Sequence, residues 1–163
     1  MTDGGFDPSR RRLFTRRAHD PLRPPWARAA SFTDLCSRCG RCREACPEGI
    51  LARGDGGFPE VDFRLGECSF CRACADACPV EALFDPPERP PWTARARVAA
   101  TCLAHANVCC EACRDSCDSR AIRFAPALRS APRPRVDPAA CTGCGACVAA
   151  CPVGAITVGE GHG

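Results

Sequence analysis

CTGCGACVAACPVGAITV, residues 141–158, sets cysteines at 141, 144, 147 and 151, with Pro152 directly after the last. Three cysteines two residues apart let one tight loop wrap three corners of a small cube. The fourth lies a turn further on and points away, where it ligates the cluster of a partner repeat. Proline after it fixes φ and removes a donor, so the chain turns out of the loop. This is the spacing that holds a cubane [4Fe–4S] cluster.

The same pattern occurs twice more, at Cys36, Cys39, Cys42 and Cys46 with Pro47, and at Cys68, Cys71, Cys74 and Cys78 with Pro79. Structural zinc favours two separated cysteine pairs or cysteine–histidine mixtures, so three closely spaced runs ending in Cys-Pro argue for iron–sulfur. These twelve cysteines are the expected ligands. By the crossing rule Cys46 completes the second cluster, Cys78 the first, and Cys117 the one held by Cys141, Cys144 and Cys147. Small residues at Gly40, Gly143 and Gly145 are expected to let backbone N–H groups reach the sulfurs, contacts that tune reduction potential.

A further group is irregular. Cys110, Cys113 and Cys117 keep the spacing of the second, third and fourth ligands, but Asn107 stands at the first position and Asp118 replaces the proline. Cys102 could supply the missing corner through a longer loop. Cys109, beside Cys110, is closer but sterically awkward. The alternative is a decayed repeat without a cluster. Three clusters are therefore expected, with a fourth on Cys102, Cys110, Cys113 and Cys117 as an open case.

Aligned on the last cysteine of each group, four segments fall into register: CPEGIL from 46, CPVEALF from 78, CDSRAIRF from 117 and CPVGAITV from 151. Five residues on stands an aliphatic residue each time, Leu51, Leu83, Ile122 or Ile156, which reads as a short strand after a ligand loop and a helical turn. The expected class is α+β, with tandem bacterial-type ferredoxin-like repeats. Proline-rich stretches suggest the boundaries: an Arg-rich arm over 1–30, a two-motif module over 31–85, a linker over 86–94, and a second module over 95–163.

Composition agrees. Of 163 residues 17 are cysteine, 16 proline and 14 glycine. Without the cysteines the 45% hydrophobic fraction falls to roughly a third, below the usual apolar share. Such a chain cannot fold on a core alone, so metal must supply much of its folding free energy. An odd cysteine count and no visible signal peptide speak against a secreted disulfide scaffold. The longest apolar stretch, 146–156, is interrupted by two cysteines and a proline, far from the ~20 residues of a membrane span. A cytoplasmic protein is expected. The formal +3 charge assumes neutral thiols and turns acidic once thiolates bind clusters, so it is no argument for nucleic acid.

The arm SRRRLF (9–14) looks like a twin-arginine export motif but lacks the apolar segment such a signal needs. Two readings stand, a solvated basic tail and a docking segment anchored by Leu13, Phe14 and Trp26. His19, His105 and His162 receive no role.

The chain resembles the NapF family of ferredoxin-type proteins of periplasmic nitrate reductase systems. The resemblance lies in the SRRRLF arm, RPPWA (23–27), GDGGFPEVDF (54–63), the irregular CLAHANVCCEACRDSC (102–117) and the closing CTGCGACVAACPVGAI. It implies a cytoplasmic accessory protein, not an enzyme. Its implied partner is NapA, the catalytic subunit of periplasmic nitrate reductase, which it helps to mature before export. The other reading is a soluble polyferredoxin electron carrier between redox enzymes. Both use the same twelve cysteines.

Overall fold

The computed structural model describes residues 21–160. Four-residue helices follow every ligand loop: α2 (Arg41–Glu44), α3 (Ala73–Asp76), α4 (Ala112–Asp115) and α5 (Ala146–Ala149), preceded by α1 (Phe32–Leu35). They are too short to stand alone and are held by tertiary contacts, α2 against α3 and α4 against α5. The third cysteine of each group, Cys42, Cys74, Cys113 or Cys147, is the second residue of its helix.

Six short strands form three antiparallel pairs. β1 (Leu51–Arg53) pairs with β2 (Pro59–Val61), Leu51 opposite Val61. β4 (Ile122–Ala125) pairs with β5 (Arg133–Val136), Ile122 opposite Val136. β3 (Arg95–Val98) pairs with β6 (Ile156–Gly159), Val98 opposite Ile156. The two hairpins correspond closely. Each ends on an aspartate N–H donating back across the pair at 2.8 Å, Asp62 to the Ile50 carbonyl and Asp137 to that of Ala121. The strands expected at Leu51, Ile122 and Ile156 are present. Leu83 is the exception. It closes a 3₁₀ turn (Glu81–Leu83), and pairing shrinks to one bridge between Ala27 and Phe84. Pro86 and Pro87 have no N–H to extend it.

That bridge ties residues before the expected boundary at 30 to the first half. From residue 22 the chain is packed, with Leu22 and Trp26 each 8% exposed. Leu22 accepts a hydrogen bond from Val61 N–H, and Trp26 donates its backbone N–H to Pro91 O at 2.6 Å. In the first half, residues 26–28 take the place that β3 takes in the second. Trp26 is strained there, with φ 62°, a conformation costing about 1–2 kcal/mol. Burial, the Nε1–H bond to Arg89 O at 2.8 Å and the Arg72 guanidinium 5.2 Å over the ring offset it. The expected arm residues 1–20, Leu13, Phe14 and His19 included, lie outside the described residues, as does His162.

In the linker expected over 86–94, residues 86–90 are exposed while its end packs inward. Trp92 and Ala94 are buried, and Trp92 meets Phe63 and Phe70 edge-on at 6.0 and 5.7 Å. Three small cores result. One lies in the first half around Phe32, Leu83 and Phe84, and one in the second around Ala121, Ile122 and Ile156. A third joins the halves, with Leu22, Ile50, Phe63 and Trp92 against Val148 and Val158. Among the described residues no helix is long and apolar enough to cross a membrane.

Candidate iron–sulfur centres

The three regular loops share one backbone device. Residues two and four after the first cysteine are left-handed: Arg38 and Gly40 (φ 60° and 86°), Phe70 and Arg72 (55° and 66°), Gly143 and Gly145 (78° and 87°). Two such reversals in five residues curl the loop and turn its thiols to one side. Glycine takes this conformation without cost, whereas Phe70 and Arg72 hold it against their own preference.

The loops gather cysteines across repeats. A cavity of about 210 Å³ is lined by Cys36, Cys39 and Cys42 from the first loop and by Cys78 from the second. A neighbouring cavity is lined by Cys68, Cys71 and Cys74 together with Cys46. In the second half, burial pushes the Cys147 thiol up to about 12, and the like charges acting on it belong first to Cys144 and Cys141, then to Cys113 and Cys117. Burial pushes Cys113 up to about 11, with Cys102, Cys110 and Cys151 as the charges around it. The first half therefore holds the sets 36–39–42–78 and 68–71–74–46, while in the second half Cys147 has Cys144, Cys141, Cys113 and Cys117 as neighbours and Cys113 has Cys102, Cys110 and Cys151. In the first half each set takes its last member from the partner loop. Cys151 is a neighbour of Cys113 that the grouping set out from the spacing does not include.

The irregular loop has a physical explanation. Asn107, at the position of a first ligand, accepts a 2.6 Å hydrogen bond from Ala131 N–H on its Oδ1. The chain instead coils over residues 99–108. Cys102 accepts bonds from the N–H groups of His105 and Ala106, and Ala104 is buried beneath. This coil brings Cys102 to the site. Cys109 and His105 are exposed, and Glu111 keeps a negative φ of −128°, so the repeated reversal is absent.

Backbone N–H groups do reach sulfur, and beside Gly40 the N–H of Arg41 bonds Cys39 and lowers its pKa. Ala155 N–H donates to Cys151 Sγ at 3.2 Å and Ala96 N–H to Cys141 Sγ at 3.5 Å. Burial raises Cys117, yet hydrogen bonds from the Ser119 hydroxyl and the N–H groups of Ile122, Ala121 and Arg120 outweigh it and lower its pKa. Gly143 and Gly145 serve packing. A β-carbon on Gly145 would overlap the Phe63 ring, and one on Gly143 the Ala94 carbonyl. RPPW stands at both 23–26 and 89–92, and each copy carries a buried tryptophan, Trp26 in the first-half core and Trp92 in the core that joins the halves.

The donor chemistry fits cubanes. Among the described residues no three His, Cys, Asp or Glu side chains converge on a point one metal ion could occupy. A cubane asks for something else, four thiolates each on its own iron. Burial raises Cys74 to about 12 and Cys42 and Cys68 to about 11. Without metal these thiols keep their protons at neutral pH, and cluster binding must displace them. Cys39 and Cys71 lie at the exposed rims of their loops.

Comparison with known proteins agrees. Residues 35–82 match the 4Fe-4S dicluster domain family and residues 134–157 the 4Fe-4S binding domain family. Fold, cysteine sets and these matches define a ferredoxin-type iron–sulfur protein that binds [4Fe–4S] clusters. The chain is 46% identical over 156 residues to the ferredoxin-type protein NapF of Escherichia coli K12, covering 93% of this chain and 94% of that protein. It is 44% identical over 140 residues to its Haemophilus influenzae counterpart, covering 85% and 79%. The chain belongs to the NapF family of ferredoxin-type proteins.

Proposed function

We propose that this chain is a cytoplasmic accessory protein of two tandem ferredoxin-like modules that carries four [4Fe–4S] clusters. Its partner is the catalytic subunit of periplasmic nitrate reductase, NapA, which it helps to mature before export. It catalyses no reaction of its own, since its reactive groups are taken up as ligands. The observation that carries this reading is similarity to NapF proteins over nearly the whole chain, including residues outside the cysteine loops. Cys39 and Cys71 at exposed rims support transfer, because solvent-facing thiolates are open to exchange with an acceptor's thiols. The coiled 99–108 loop supports the fourth cluster, since it serves to bring Cys102 to Cys113.

A second reading, electron supply to the same partner or to other redox enzymes, draws on the close contact between the two halves. Cluster transfer and electron supply separate on one experiment. Holo-protein labelled with ⁵⁷Fe is incubated anaerobically with cluster-free catalytic subunit, and the two are re-isolated. Maturation by transfer predicts label in the catalytic subunit and matching loss from the donor. A complex that forms with no label moved would leave electron supply to this partner, and no complex at all would sink maturation and leave only electron supply to other redox enzymes.

A further inference from the structure

Two of the four cysteine sets meet across the seam between the halves. Cys68, first in the second loop, donates its backbone N–H to the carbonyl of Cys144, second in the fourth loop, at 2.8 Å. The surroundings hold this contact in place. Gly145 is buried and leaves room for the Phe63 ring, and Gly143 lies against the Ala94 carbonyl. Trp92 closes the seam by donating Nε1–H to Thr142 O at 3.1 Å while its ring meets Phe63 and Phe70. Two independent ferredoxin units would need only a loose linker here. Instead two buried glycines and three aromatic rings fix the approach of one ligand loop to another.

We propose that the Cys68–Cys144 peptide hydrogen bond is the electronic bridge between the halves, joining the four cysteine sets into one conductor. This rests on the reading that clusters fill those sets. The path runs from Cys68 Sγ through its Cβ, Cα and N–H to the carbonyl of Cys144, then through Cα and Cβ to that residue's Sγ. One electron crosses and no proton moves; the centre on one side is oxidised by one as its neighbour is reduced by one. A low-potential one-electron donor supplies the electron, dithionite in the test below. Within each half, crossed ligation and the α2–α3 and α4–α5 contacts place the two sets side by side. The spatial order is therefore first, second, fourth, third, and the irregular third site is one end of the line.

The bridge is tested on the full-length reconstituted protein, fully reduced with dithionite, by iron analysis, EPR spin counting and microwave-power saturation. Gly145→Val puts a branched side chain where the Phe63 ring lies and opens the seam. With iron and spin count unchanged, the expected result is narrower lines and at least several-fold slower spin relaxation, as coupling between the halves is lost. If Gly145→Val does not take up clusters, Cys71→Ser supplies the second arm. It removes the second site, and the second-half signals should lose the same broadening. Full iron with line width and relaxation as in the wild type in Gly145→Val would overturn the bridge, as would unbroadened second-half signals in the wild type. Failure of the wild type itself to bind iron would instead overturn the reading beneath it.

Discussion

At the residue scale, the account turns on which sulfur belongs to which set. Cys117 is a neighbour of Cys147, as are Cys144, Cys141 and Cys113, although it lies 24 residues before Cys141. Replacing it with alanine should lower iron by about four per chain and perturb the fourth-repeat cluster with Cys151 intact. Cluster-resolved spectra unchanged by Cys117→Ala would break the crossing rule in this half. Cys102→Ser should cost the third-repeat cluster while Cys109→Ser costs none; equal iron in the two variants would count against the coil over 99–108. Twelve expected ligands were legible from spacing alone. The nearness of Cys151 to Cys113 was not legible, because an interrupted repeat hides what its last cysteine faces.

Thiol burial adds a pH prediction. Burial holds Cys74 and Cys147 at about 12 and Cys42, Cys68 and Cys113 at about 11 in the metal-free fold. These thiols are protonated at neutral pH, and each must lose its proton to bind iron. Protons and iron compete, so cluster uptake should rise from pH 6.5 to 8.5, and loaded protein should lose iron as pH falls. Reconstitution yields that are flat or fall across that interval would show that thiol ionisation is not limiting.

At the element scale, the short helices and three of the four expected strands were legible from the aliphatic residue five after each final cysteine. Residues 22–30 and 86–94 were not, because arginine and proline dominate them and mask single buried side chains. RPPW occurring twice was the overlooked signal, each copy leading its tryptophan into a core. Phe32 and Ile50, each 1% exposed, anchor cores beside Trp26 and Trp92. Trp26→Ala should cost about 3–5 kcal/mol, enough to threaten a domain of ordinary stability. Deleting residues 1–20 should leave iron content intact, whereas deleting 1–30 removes Leu22, Trp26 and the Ala27–Phe84 bridge and should lower it. Equal iron in the two truncations would mean that this segment is dispensable to the first half.

At the scale of the whole molecule, fold and cofactor are one problem. With each of its three cores built from few large side chains, the chain has little to hold it together once the clusters are gone. Chelating the iron under anaerobic conditions should abolish most far-UV ellipticity, and readdition of iron and sulfide should restore it. What composition could not convey is that the halves share a core, because the residues that join them, Phe63, Trp92 and Val148, are far apart in sequence. The claim beneath all of this is that four crossed cysteine sets each hold a cubane. Its most direct test is iron, acid-labile sulfide and zinc per chain on anaerobically reconstituted, full-length protein. The account predicts about 16 irons and about 16 sulfides per chain with no zinc; about 12 or fewer of each, or stoichiometric zinc, would contradict it.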